Sequence, residues 1–159
     1  MNHTDYMTGA ELQALREACG LDRDQFGEMC GVQGRSVKYW EMRSGVPADV
    51  ADLVLKLEAK VREDAEANIK YFGSYAQLES KIPVFVRGAD QIKNAVNARV
   101  WLALRAMGKD VRLVSFDYKA YRAQLSGQDT PEARQAWARR ALKEQARPHK
   151  QDQPDVPPL

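Results

Sequence analysis

The segment GVQGRSVKYWEMRSG, residues 31 to 45, combines cationic residues with apolar residues at helical spacing. Its cations are Arg35, Lys38 and Arg43. Its apolar residues are Val32, Val37 and Trp40. This spacing predicts a short helix with one buried face and one cationic, hydrogen-bonding face.

Two further short helices are predicted before this segment. Thr8 and Glu11 have the spacing of a capping box, and Gly20 is the expected residue just past the end of the first helix. Asp22 can cap a second helix that Gly31 ends. Gln33 or Gly34 then begins the third helix after a tight turn. Three short helices separated by glycines predict a helix-turn-helix arrangement.

The apolar residues of these helices predict their common core. The second helix is expected to turn Phe26, Met29 and Cys30 inward. The faces expected to pack together consist of Leu15, Leu21, Phe26, Val32, Val37 and Trp40.

The rest of the chain predicts a long helix followed by a smaller unit. Apolar residues keep a period of 3.6 from Val50 to Phe72. Residues 82 to 86 and 111 to 116 favour strands, with Pro83 at a sheet edge, and flank a helix over residues 92 to 107. Asp117 and Thr130 can cap two more helices, the second with Pro131 at its first position.

The predicted fold class is mainly α, with a small α/β unit. We expect a helix-turn-helix domain over 8–57 and a connecting helix over 58–74, with a solvated surface helix as the alternative for the latter. A C-terminal α/β dimerisation domain with a helical tail is expected over 82–146, and a disordered tail over 147–159.

Composition excludes several classes of function. The net charge of +2 does not by itself indicate a polyanion partner, so any indication of one depends on where the charges lie. No apolar run is long enough for a membrane helix, and a cytoplasmic protein is expected. Cys19 and Cys30 are expected to be reduced thiols rather than a disulfide. No metal, cofactor or enzymatic activity is expected.

The outward face of the third helix is suited to a DNA major groove. Arg pairs bidentately with guanine and Gln with adenine, while phosphate contacts fix the register of a protein on the duplex. The base-reading candidates are Gln33, Gly34, Arg35, Ser36, Lys38 and Tyr39. The phosphate candidates are Arg23, Gln25, Arg43 and Lys56. A simply solvated charged face is the alternative for this helix.

The segment LREACGLDRDQFGEMCGVQGRSVKYWE resembles the Cro/XRE-type helix-turn-helix of phage and bacterial repressors. The resemblance implies a structural pair between Arg16 and Glu41, rather than base contacts by these two residues. Gly27 stands where the family needs a small residue, and Gln33 replaces the usual Ser or Thr cap.

The longer layout, over about residues 8 to 125, is similar to anti-CRISPR-associated autorepressors of phages and mobile elements. This wider resemblance implies a homodimer that binds an inverted repeat of double-stranded DNA at its own promoter and represses transcription. Some proteins of that group also bind their transcript.

Two other functions remain open from the sequence. The chain is also interpretable as an antitoxin whose C-terminal half binds a protein, or as an RNA-binding regulator that uses a basic C-terminal helix. The cations of that helix are Arg134, Arg139, Arg140, Lys143, Arg147 and Lys150. A solvated helix is the alternative for these cations. Within it Trp137 is expected to pack in a core rather than stack on a base.

Overall fold

The structure, a computed structural model, describes residues 7–43, 45–74, 83–86 and 90–147. The protein is mainly α, as the sequence predicts. In the described residues the helices are α1 Gly9–Ala18, α2 Arg23–Cys30, α3 Gly34–Met42, α4 Ala48–Ser74, α5 Gln91–Ala106, α6 Tyr118–Gln124 and α7 Pro131–Gln145. The strands are β1 Val84–Val86 and β2 Val114–Phe116.

Side-chain caps fix where several helices begin, as predicted. Both bonds of the capping box between Thr8 and Glu11 are present at α1, at 2.9 and 3.1 Å. Asp22 caps α2, Asp117 caps α6 and Thr130 caps α7. These caps satisfy backbone N–H groups that have no partner within the helix.

A first core joins the N-terminal helices to α4 and α5. All six residues expected to pack together in the N-terminal helices belong to it. The second half of α4 also takes part, because Val61 and Ala65 are buried and α4 packs along α5. The long helix is therefore not simply a solvated surface helix. The packing places α5 with the N-terminal helices, although the sequence groups it with the predicted C-terminal domain.

A second, smaller core forms under β2, α6 and α7. Its buried residues are Val114, Phe116, Tyr121, Trp137 and Ala141. Strands β1 and β2 pair in parallel, with Val84 opposite Val114 and Val86 opposite Phe116. Because α5 connects the two strands, this part is a short βαβ unit, and both strands are shorter than predicted.

Three further sequence predictions are compared with the structure here: the burial of Met29, the C-terminal tail and the lack of a membrane helix. Met29 is 44% exposed, so the expectation that it turns inward is wrong. Apart from Arg147, the predicted disordered tail lies outside the described residues, as do Lys150 and residue 82 of the predicted first strand. None of the helices in the described ranges is long and apolar enough to cross a membrane.

Both cysteines are free thiols, as predicted. Cys19 is fully buried in the first core and Cys30 is half-buried. Burial raises the pKa of both thiols, so each is protonated and weakly nucleophilic near neutral pH.

Candidate nucleic-acid interface

A tight turn places α3 directly across α2. Gly31 ends α2 with a φ of 72°, a left-handed conformation that glycine adopts without strain. The Val32 N–H then donates to the Gly27 carbonyl at 2.9 Å. A Cβ at Gly27 would lie 2.8 Å from the Val32 oxygen, so a small residue is needed at this crossing, as predicted.

The face of α3 away from the core carries most of the predicted base-reading residues. Val37 is fully buried, whereas Arg35 and Lys38 are exposed and Tyr39 is 56% exposed. Ser36 lies half-buried at the edge of this face. We call Gln33, Arg35, Lys38 and Tyr39 the α3 outer face.

Gln33 begins this face as the N-cap of α3. Its backbone is extended, and its side chain makes no capping hydrogen bond to the helix. The side-chain amide, which is exposed, is therefore not used to cap α3. Such an amide can donate one hydrogen bond and accept another, the pattern that adenine requires.

Gly34 does not belong to the outer face, contrary to the prediction. It is buried, and a Cβ at this position would collide with the side chain of Asp24 on α2. The absence of a side chain at Gly34 therefore allows α2 and α3 to approach each other, rather than allowing DNA to approach α3.

A buried carboxylate holds the far end of α3. Glu41 Oε1 accepts from Arg16 Nε at 2.6 Å, the pair that the family resemblance implies. Glu41 Oε2 accepts from Arg23 Nε at 2.8 Å, and Arg16 also donates to the Leu21 carbonyl at 2.7 Å. These bonds tie the end of α3 to α1 and to the start of α2.

The electrostatic balance at Glu41 favours the charged form. Burial alone raises the pKa of this carboxyl, because its side chain is fully enclosed. The hydrogen bonds and positive charges of Arg16 and Arg23 outweigh burial, and the pKa of Glu41 is lowered. Glu41 is therefore ionised at neutral pH and bound by both arginines.

Of the four predicted phosphate-binding residues, two make hydrogen bonds within the protein and two are exposed. Arg23 is bound to Glu41, and Gln25 shares a capping box with Asp22 through bonds of 2.7 and 2.9 Å. Arg43, at the end of α3, and Lys56, on α4, are exposed. Sequence spacing did not reveal that Arg23 reaches Glu41, because this contact spans 18 residues and depends on the helix crossing.

Two carboxylates, which sequence reasoning did not include, lie beside the α3 outer face. Asp24 and Glu28 of α2 line an open groove with Val32, Gln33, Gly34 and Arg35. Their spacing of four residues along α2 places both on one side of that helix. Negative charge at this position opposes non-specific approach of phosphates to the start of α3.

The cations of the basic C-terminal helix, like the phosphate candidates, include one that binds within the protein. Arg134 binds Asp129 through two hydrogen bonds of 2.7 Å, and Asp129 also accepts from the hydroxyls of Tyr118 and Tyr121. The pKa of Asp129 is consequently well below its ordinary value, with the Arg134 hydrogen bonds as the largest cause. Trp137 packs in the second core, as predicted, and its Nε1–H donates to Gln124.

In the described part of the chain, no cluster of three histidine, cysteine or acidic side chains is placed to hold a metal ion.

Comparison with known proteins gives no match, either to a protein-family model or to a curated protein. The resemblance to Cro/XRE repressors therefore stays a prediction that rests on the residues quoted above.

Proposed function

We propose that the protein is a sequence-specific DNA-binding transcriptional repressor whose α3 enters the major groove as the recognition helix of a helix-turn-helix. The observation that carries this proposal is the α3 outer face. It presents an amide, a guanidinium, an ammonium and a phenol on one exposed side of a helix whose other side is buried. Their order fits base-edge recognition, with Gln33 and Arg35 nearest the helix N-terminus.

The packing behind α3 supports this role. Gly27 and Gly34 allow close contact with α2, while Glu41 fixes the other end of the helix through two arginines. A recognition helix fixed at both ends loses little conformational entropy when it binds, and its side chains keep a defined register.

We propose a homodimer on an inverted repeat as the assembly, with autorepression as its regulatory outcome. A single α3 reads only a few base pairs, so two copies related by a two-fold axis are needed for a specific site. In such a dimer the half-sites are separated by about 34 Å, or roughly one turn of B-DNA.

The deciding experiment measures binding of the full chain to DNA from the region upstream of its own gene, with Arg35→Ala beside the wild type. We expect a footprint over an inverted repeat. Removing a bidentate guanine contact costs about 1 to 3 kcal/mol, so the variant is expected to lose roughly ten- to a hundredfold in affinity for this site.

Arg62→Ala is the matched control, because it removes the same charge from an exposed site on α4. It is expected to leave the footprint intact. Equal binding of wild type and Arg35→Ala to the upstream DNA and to unrelated duplexes would contradict the proposal.

A further inference from the structure

The charges of the two halves of the chain are opposite in sign. Residues 7 to 74, which include the α3 outer face, contain nine lysines and arginines against twelve aspartates and glutamates, a net charge of −3. Residues 90 to 147 contain twelve basic and six acidic residues, a net charge of +6. The half that contains α3 therefore repels a polyanion overall, whereas the other half attracts one.

Part of the positive charge in residues 90 to 147 forms a stripe along α7 and just past its C-terminal end. Arg139, Arg140, Lys143 and Arg147 are all exposed, and we call these four residues the α7 stripe. The opposite side of α7 buries Trp137, Ala138 and Ala141. Arg134 lies on another side of α7, where it binds Asp129, and does not belong to the stripe.

Lys143 lies among like charges on the helix surface, and Glu144 is the one acidic residue within four positions of Arg140 and Arg147. The neighbours of Lys143 at three and four residues are Arg139, Arg140, Ala146 and Arg147. Like charges at this spacing destabilise a helix by a few tenths of a kcal/mol per pair. The helix dipole favours cations in and just past the last turn, which accounts for Lys143 and Arg147 but not for the two arginines one turn earlier.

The α3 outer face has few cations near it to bind phosphates. Of its four phosphate candidates, Arg23 and Gln25 make hydrogen bonds within the protein, and Asp24 and Glu28 lie beside Arg35. Phosphate contacts supply most of the affinity of a typical DNA-binding protein. Of these candidates only Arg43 and Lys56 are exposed, so the proposed repressor gains affinity if cations outside residues 7 to 74 also reach phosphates.

We propose that the α7 stripe binds the phosphate backbone of double-stranded DNA as a second, sequence-independent contact. The stripe extends over about 9 Å of helix axis from Arg139 to the end of α7, with Arg147 just beyond, and duplex DNA presents about five phosphates over that length. The proposal rests on the proposed function only in its choice of DNA as the polyanion. It assigns base reading to α3 and a share of the salt-dependent affinity to α7.

The test measures affinity for a random-sequence duplex, of about three helical turns, between roughly 50 and 200 mM salt. The variant Arg140→Gln/Lys143→Gln/Arg147→Gln is compared with Lys60→Gln/Arg62→Gln/Lys70→Gln on α4, which removes the same charge. Each lost phosphate contact lowers the slope of log affinity against log salt by about 0.9. We expect the slope of the α7 variant to fall by about two to three and that of the α4 variant to stay the same.

A charge-conserving variant, Arg140→Lys/Arg147→Lys, separates charge from helix structure, and circular dichroism checks that each variant folds. This variant is expected to keep the wild-type slope. An unchanged slope in the folded α7 triple variant would overturn the proposal. Loss of affinity for a single-stranded RNA alone, with the DNA slope intact, would also overturn it and assign the stripe to RNA.

The failure of this proposal is distinguishable from the failure of the proposed function. Arg35→Ala tests discrimination between the upstream site and random DNA, whereas the α7 variant tests the slope on random DNA. If the chain prefers no DNA sequence but the α7 variant lowers the slope of log affinity against log salt, base reading by α3 is contradicted. Phosphate binding by the α7 stripe is then still supported.

Discussion

A carboxylate bound by arginine supports each of the two cores, Glu41 at the first and Asp129 at the second, and the two differ in burial. At the first core Glu41 is enclosed, and two arginines bridge it to α1 and α2. At the second core the side chain of Asp129 is 29% exposed, and Arg134 and two tyrosine hydroxyls bind it. The same charge chemistry therefore supports the position of α3 in one place and fastens a surface loop in the other.

The partners of the two carboxylates show what this difference means. Arg16 is 5% exposed, so its removal leaves the enclosed Glu41 carboxylate without its buried partner and with Arg23 alone. Arg134 is exposed and lies over the ring of Tyr118 at 5.5 Å, so water can replace it at Asp129. A buried ion pair is costly to break from one side, whereas a solvated pair is worth little.

The largest effect is expected from Arg16→Met. The substitution keeps apolar packing but removes a partner of Glu41 and the bond to the Leu21 carbonyl. We expect a loss of about 3 kcal/mol or more in the free energy of unfolding, measured by urea denaturation. Arg134→Met at the second core is the comparison, with an expected loss of less than about 1 kcal/mol.

Equal losses of unfolding free energy in Arg16→Met and Arg134→Met would show that burial does not distinguish the two carboxylates.

Arg23→Gln tests the effect of burial among the partners of Glu41. The side chain of Arg23 is 35% exposed, so water compensates part of the lost bond and an intermediate loss is expected.

The next effect is expected from glycine substitutions that test how closely α1 approaches α3. A Cβ at Gly9 would collide with the backbone carbonyl of Glu41. Because backbone atoms cannot move aside cheaply, Gly9→Ala is expected to lower the free energy of unfolding by about 1 to 3 kcal/mol.

Gly127→Ala is the matched control, in the loop beside the second core. A Cβ there meets no atom within 4 Å, and its φ is not positive. The control is expected to be neutral or slightly stabilising, since alanine restricts the unfolded chain. A neutral Gly9→Ala variant would show that α1 and α3 are less tightly packed than the structure indicates.

The smallest effect is expected in the dependence of stability on pH. The pKa of Glu41 is lower in the folded chain than its ordinary value. Such a group stabilises the fold above the ordinary carboxyl pKa, and this contribution is lost as pH falls through the folded value. The deficit of Glu41→Gln relative to wild type should therefore be full at pH 6 to 7 and shrink below about pH 4.

Asp129→Asn should show the same sign, because the pKa of Asp129 is also lowered, with a smaller deficit at neutral pH. Denaturation curves at several pH values measure both variants. A Glu41→Gln deficit that grows on acidification would mean that folding raises the pKa of Glu41 instead of lowering it.

Local sequence signals determined most of the secondary structure. The caps at Thr8, Asp22, Asp117 and Thr130 were predictable because a cap and its N–H partner lie within a few residues. Apart from Gly34, the buried and exposed sides of α3 followed from helical period, and so did the long helix α4. These features depend on contacts within one or two turns, which the order of residues specifies.

The tertiary structure alone decided which of these residues meet. The first core includes α5, Arg23 reaches Glu41, and Gly34 faces Asp24 rather than the outer face. These outcomes depend on the angle and distance at which helices cross, which side-chain packing sets. The sequence by itself thus determined a mainly helical chain with a cationic face on α3, and packing decided which polar groups remain exposed there to bind a partner.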